Sequence, residues 1–452
     1  MSFFESGSVR RRKRVKAQFF DLARELCGSL ASDEALLCYF SAEKSDFVRF
    51  NHSRVRQAGT VEQRYLSLRL LRAKRQAYAD LVLAGDAEDL ERCHDAIGRL
   101  REVLAQLPED PWLLISQEPV STCSVRRSAL GDTQEIVERV TRAAAPVDFV
   151  GFYAGGTLYR GFANSYGQTN WHEIDSFNFD WSLHLRADKA VKDGYAGFDW
   201  DSIAFEHALA GSVERLALLQ NTSRTIAPGE YRAYLAPRAL EEVTGLLQLD
   251  AFSARALETR QSPLLRLQQG EALSRKVTLT EDIAKGVAPA FQRDGFVKPA
   301  QVSLINEGAL VGRLISPRSA KEYGLGTNGA NGRENAESLD LKGGELASGD
   351  ALAALDTGLY IGNLWYLNYS DRPAGRITGM TRFACFWVER GRIVAPIDPV
   401  RFDDTVYRML GANLIDFTCE REMLPSTSTY DERSTASARL PGALLSALKF
   451  TL

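Results

Sequence analysis

Apolar positions recur at helical spacing over residues 16–30, where Phe19, Phe20, Leu22 and Ala23 lead the pattern, and a short apolar run over 35–40 reads as a strand. Residues 46–56, 61–71 and 77–83 alternate apolar and polar side chains. That is the period of half-buried strands, so an antiparallel meander is expected. Helical spacing returns over 86–107, opened by Asp86 as a cap and closed at Pro108. A second block follows the break at Pro108 and Pro111. It predicts a helix over 132–144, strands over 147–152, 157–162 and 178–185 parted by Gly and Asn turns, and a helix over 201–219. The third block starts near Pro228 and Gly229 with a strand over 231–235 and a helical pattern over 238–254. Strands are expected near 302–305, 358–366, 381–389 and 392–397, and the apolar end of 425–452 finishes in one more. The Gly- and Asn-rich stretch 324–344 reads as a long loop, which in a compact domain is functional or mobile.

These elements predict an α+β protein with an N-terminal α/β half of two subdomains, 1–107 and 108–225, and a strand-rich C-terminal domain over 226–452. The chain's 452 residues exceed what one core holds, since single cores stop growing near about 250–300 residues. A net charge of -3 argues against a dedicated nucleic-acid binder, which needs a basic face. The one basic run, Arg10 to Arg14 with Lys16, leads straight into the first apolar stripe and reads as the solvated start of an amphipathic helix. No run of about 18 apolar residues predicts a membrane span, and polar interruptions after Arg14 argue against a secretory leader. Six cysteines without a CxxC pair read as reduced thiols, so the expected location is cytoplasmic.

Candidate chemistry turns on histidine. The chain has His52, His94, His172, His184 and His207, and none follows His207. His172 and Glu173 form a His-Glu pair, but Ser176 and Phe177 stand where a second histidine of a zinc motif would be. His172 is therefore expected as a surface or hairpin residue in a turn before a strand, and His184 and His207 as structural residues of a strand and a helix. No strand-to-helix Gly-x-Ser-x-Gly elbow occurs. Gly324, Gly326 and Gly329 match GxGxxG only formally, because a polar loop follows where a dinucleotide site needs a helix.

The run GLYIGNLWYLNYSDRPAGRITGMTRFACFWVERGRIVAPI, 358–397, resembles the C-terminal core of the TldD/PmbA family of metallopeptidase subunits. DFVRFNHSRVRQAG (46–59), TLYRGFANSYG (157–167) and APGEYRAYLAPRALEEVTGLL (227–247) are similar to the family's other segments, in the same order. Zinc-bearing members carry His-Glu-x-x-x-His on the helix after the opening strand of the C-terminal domain, completed by a later cysteine. The corresponding helix here has Glu241 and Glu242 and no histidine, although Cys419 lies where the cysteine falls. The resemblance thus implies the metal-free TldE (PmbA-type) subunit, with no catalytic or metal-binding residue of its own. Zinc is expected on a TldD-like partner in a heterodimer that cleaves short or unfolded peptides. The alternative is a stand-alone peptide-binding or scaffolding homodimer. Asn363, Trp365, Tyr366, Asn368 and Tyr369 cluster in the family-like turn and, with Arg382, are the candidate peptide-binding residues; core or dimer-interface packing of Trp365 and Tyr366 is the competing reading.

Overall fold

The computed structural model describes residues 7–186 and 189–451. Its α+β architecture is built on two sheets. The N-terminal sheet holds β1 (Ala35–Asn51), β2 (Arg54–Arg72), β3 (Arg75–Val82), β4 (Thr122–Arg126), β5 (Asp148–Asn164), β6 (Thr169–Arg186) and β7 (Lys189–Gly197). They run in the order β3-β2-β1-β5-β6-β4 with β7 also on β6, so strands from both sides of Pro108 share one sheet. Among the described residues of this sheet, β4 alone pairs in parallel, with β6.

Alternation along the strands sorts the two faces. One face carries Leu36, Phe40, Tyr159 and Trp171 under α1 (Gly7–Gly28) and α2 (Glu88–Leu104). The same face carries Val48, Phe149, Phe179 and Trp181 under α3 (Thr133–Ala144) and α4 (Ser202–Leu218). Asp132 and Asp201 cap α3 and α4 by accepting hydrogen bonds from two backbone N–H groups each. The basic run lies within α1, from which Arg12 reaches Asp175 at 2.8 Å. The opposite face meets the C-terminal half, with Leu37 and Phe162 packing against Phe291.

The meander and the later strands are longer than their patterns suggest, and the turns fall elsewhere. β1 runs on through Asn51 and reverses at His52 and Ser53, both in the left-handed region at φ 49° and 58°. Ala73 and Lys74 (φ 48° and 61°) make the second tight hairpin. Neither central pair includes Gly or Asn, the residues that usually announce such geometry. Conversely, Gly155 and Gly156 do not break a strand: β5 passes through them, and a Cβ on Gly156 would lie 2.1 Å from the Lys44 carbonyl oxygen. The glycine is there for close strand approach, not for a turn.

The C-terminal sheet has eleven strands: β8 (Gly229–Leu235), β9 (Leu279–Asp282), β10 (Gln301–Asn306), β11 (Ala309–Leu310), β12 (Ser338–Leu341), β13 (Gly358–Asp371), β14 (Arg376–Glu389), β15 (Arg392–Pro396), β16 (Arg401–Thr405), β17 (Leu414–Pro425) and β18 (Ser437–Phe450). Because β18 pairs with both β16 and β8, the path β8-β13-β14-β16-β18 closes on itself. The expected final strand is thus a central one. Helix α5 (Pro237–Asp250) buries Ala239, Leu240, Val243 and Leu247 in the core of this half. The stretch 324–344 is tied down rather than mobile. Buried Glu334 accepts from Ser253 Oγ and from the backbone N–H groups of Arg255 (2.9 Å) and Ser316 (2.8 Å), and β12 forms within the stretch. Among the described residues, no helix is long and apolar enough to cross a membrane.

Candidate functional site

With its apolar stripe in the C-terminal core, α5 turns Arg238, Glu241 and Glu242 away from that stripe. Pro237 at its first position pre-sets the helical φ. Arg238 reaches Asp180 of β6 at 3.4 Å and Asp193 of β7 at 3.3 Å, with little of its side chain in solvent. Asp193 also accepts from Ser212 Oγ (3.0 Å) and pairs with Arg215, both on α4. Burial pushes the Glu241 carboxyl up to about 7 against the pull of Arg238. It raises Glu422 and Asp180 as well. Glu241 is half-buried in a junction between the two halves, and Glu242 is exposed.

This donor set does not fit zinc. A His-Glu-x-x-x-His motif laid over Glu242 needs imidazoles at 241 and 246, where the chain has Glu241 and Leu246. A guanidinium one turn away and a carboxyl that is partly protonated near neutrality are both unfavourable beside a divalent cation. Cys419 sits exposed on β17 with its Sγ 3.1 Å from Glu420 Oε2, and that hydrogen bond raises its thiol. Among the described residues, no three His, Cys, Asp or Glu side chains converge.

The candidate peptide-binding residues lie on the β13–β14 hairpin, whose register shifts three times, once near its tip between Tyr369 and Asp371 and at two bulges farther from it. Its register steps from Ile361↔Cys385 to Asn363↔Arg382, one extra residue on β14, and then from Trp365↔Met380 to Asn368↔Thr378, one extra on β13. Each bulge holds an aromatic residue in the left-handed region, Phe383 at φ 59° and Tyr366 at φ 58°. For a bulky side chain that conformation costs roughly 1–3 kcal/mol, and it gathers at places where side chains are aimed for use. The first bulge sets the Arg382 guanidinium carbon 4.0 Å from the Trp365 ring centroid and 5.1 Å from that of Phe383. Trp365 is 48% exposed and Tyr366 77%, so neither is a core aromatic.

The remaining candidates separate from this pair. Asn363 is buried, and its carbonyl accepts from the Cys385 thiol at 3.5 Å. Asn368 is exposed and accepts from the Tyr369 N–H. Tyr369 donates its hydroxyl to the Leu246 carbonyl at the end of α5 (3.3 Å) and carries Arg372 over its ring at 5.0 Å. Trp365 and Arg382 instead line a cavity of about 330 Å³ whose opposite wall carries His184, Lys189 and Leu219. These three partners come from the N-terminal half, and nothing in the sequence links them to Arg382.

His172 departs from expectation. It lies within β6, 5% exposed, with Nε2 3.0 Å from the Val287 carbonyl oxygen, and burial pushes it down to about 4. The polar residues around it face the C-terminal half, so a strand covered on both sides does not alternate as a half-exposed one does. His184 lies on β6 as expected, beside Ser182 Oγ at 3.0 Å, and His207 lies on α4.

Residues 228–451 match the family described as PmbA/TldA metallopeptidase C-terminal domain. No curated protein sequence matches the chain. Among solved structures, TldE from Thermococcus kodakarensis is similar at TM-score 0.78 and 17% identity, covering 96% of this chain and 100% of that one. A proposed modulator of DNA gyrase from Thermotoga maritima gives 0.73 and 15% over 97% and 100% of the two chains. Another from Bacteroides thetaiotaomicron gives 0.75 and 14% over 96% and 98%. At these identities the likeness is one of fold.

Proposed function

We propose that the chain, whose residues 228–451 match the PmbA/TldA metallopeptidase C-terminal domain, is the metal-free, TldE-like subunit of a zinc peptidase pair, binding peptide while a TldD-like partner carries the zinc. One observation carries this reading: Arg238 on α5, bridging Asp180 of β6 and Asp193 of β7, takes the place next to which the family's zinc ligands would stand. A buried guanidinium paired to two carboxylates repels a divalent cation and holds the two halves together instead. The chain's own contribution is then to bind and orient an extended peptide. The bulged hairpin with Trp365 and Arg382 supplies an exposed aromatic and a fixed cation for that. Short or unfolded peptides and peptide precursors are the substrates that suit such a surface, since main-chain pairing tolerates varied side chains. Six free thiols suit a reducing, cytoplasmic setting.

The test has two parts. Purified alone, the chain is expected to hold far less than one zinc per molecule and to cleave no peptide. Mixed with a zinc-bearing relative, it is expected to form a heterodimer and to raise peptide cleavage. Stoichiometric zinc with activity in the isolated chain overturns the proposal. A stable homodimer that leaves the relative's cleavage unchanged moves the assignment to a stand-alone peptide-binding protein.

A further inference from the structure

The 330 Å³ cavity beside Trp365 has a charge pattern that calls for a particular ligand. Among the described residues, the ionisable groups that line it are His184, Lys189, Arg382 and the buried thiol of Cys385, with no Asp or Glu. Arg382 is held by two aromatic rings rather than by a carboxylate. Among the described residues it makes no ion pair and no side-chain hydrogen bond. Its five N–H donors are fixed in orientation and left unused. On the facing wall Lys189 donates to Ser223 Oγ and has no ion pair among the described residues. His184 uses Nε2 on Ser182 Oγ, and among the described residues its Nδ1 has no hydrogen-bond partner. The rest of the lining is mainly apolar, including Ala190, Leu219, Ile397 and Pro399.

We propose that this cavity binds the C-terminal residue of a peptide, its free carboxylate on Arg382 with Lys189 as the second cation and its apolar side chain against Leu219 and Ile397. The inference rests on the peptide-binding reading above and narrows it to peptides presented by their carboxyl end. A planar guanidinium stacked on an indole presents two parallel N–H groups, the geometry that pairs with both carboxylate oxygens. A volume near 330 Å³ holds one residue and part of a second. An Asp or Glu side chain offers the same chemistry, so the source of the carboxylate must be separated by experiment.

Three N-acetylated probes distinguish the sources when titrated into the isolated full chain by calorimetry: Ala-Ala-Leu with a free carboxylate, its C-terminal amide, and the amide of Ala-Asp-Leu. The free acid is expected to bind at least tenfold more tightly than the plain amide. Arg382→Gln should abolish that difference, and Arg382→Lys should restore only part of it, because an ammonium cannot pair bidentately. Lys189→Met should weaken the acid alone. Both positions are at least partly exposed, so thermal unfolding of the variants should match the parent. Equal binding of acid and amide by the parent, retained discrimination in Arg382→Gln, or no binding of any probe at millimolar concentration each overturns the proposal. Binding of the Asp-containing amide as tightly as the free acid overturns the terminal-residue assignment. No partner subunit is present in this measurement, so failure of the subunit reading in cleavage assays leaves its outcome unaffected.

Discussion

Half-buried Glu241 and buried Glu281 and His172 are titratable groups whose shifts make stability depend on pH in opposite directions. Burial raises Glu241 and Glu281 from 4.5 to about 7. Between those values the folded chain keeps protons that the unfolded chain has lost, so each group favours folding below about pH 4.5 and loses that advantage as pH rises through 7. His172, lowered from 6.5 to about 4, does the reverse. Its unfolded form takes up a proton first, so its contribution is intact above pH 6.5 and is lost as pH falls through 4. Glu241→Gln is therefore expected to raise stability above pH 7 by about 2–3 kcal/mol, read as a flatter fall of Tm from pH 5 to 8. His172→Asn should flatten the loss between pH 6.5 and 4. A Tm profile unchanged by either variant would show that the group does not titrate differently on folding.

The bulges of the β13–β14 hairpin that hold Tyr366 and Phe383 give predictions of their own. Tyr366, exposed and at φ 58°, is expected to gain about 1 kcal/mol of stability on replacement by Gly, measured by denaturant unfolding, while peptide binding weakens. That pairing of gains and losses is expected where strain serves a site. Gly156→Ala forces a methyl group against the Lys44 carbonyl and the Ser45 Cα of β1; strand backbone cannot yield as a flexible side chain does, so a loss of about 2–3 kcal/mol should follow. These same features mark what was legible in the sequence. α3, α4 and β8 announce themselves by Asp caps, helical period and the Pro228-Gly229 break. Turns built on His52, Ser53, Ala73 and Lys74, and bulges on Tyr366 and Phe383, carry no such marker, because tertiary contacts stabilise them. Ser53, for instance, is pinned by the Val147 carbonyl and the Phe149 N–H. Within the candidate site Arg382 and Trp365 could be singled out from their own segment; Lys189 and His184 could not, since only the packing of the two halves brings them opposite.

At the scale of the molecule, the halves are joined by charge as well as by apolar contact. Arg238 pairs with Asp180 and Asp193, Arg69 with Asp294, and Arg318 with Asp110 at 2.7 Å. Buried Arg433, from the segment before β18, donates to the Ser176 carbonyl at 2.9 Å. Arg238→Met leaves two carboxylates facing each other at the junction and is expected to cost about 3–5 kcal/mol. The added changes Asp180→Asn and Asp193→Asn should recover part of that loss, a coupling that a double-mutant comparison of unfolding midpoints measures. The closed path of the C-terminal sheet has a different kind of consequence. β8 pairs Leu235 with Ala443 of β18, so a strand made early must wait on the ribosome for roughly two hundred residues until its partner emerges. The closed strand path on which α5 packs can form only late in synthesis, whereas the N-terminal sheet is complete by Gly197. A nascent chain stalled between these points would display the unpaired edge of β8 to its surroundings, the kind of edge that chaperones shield.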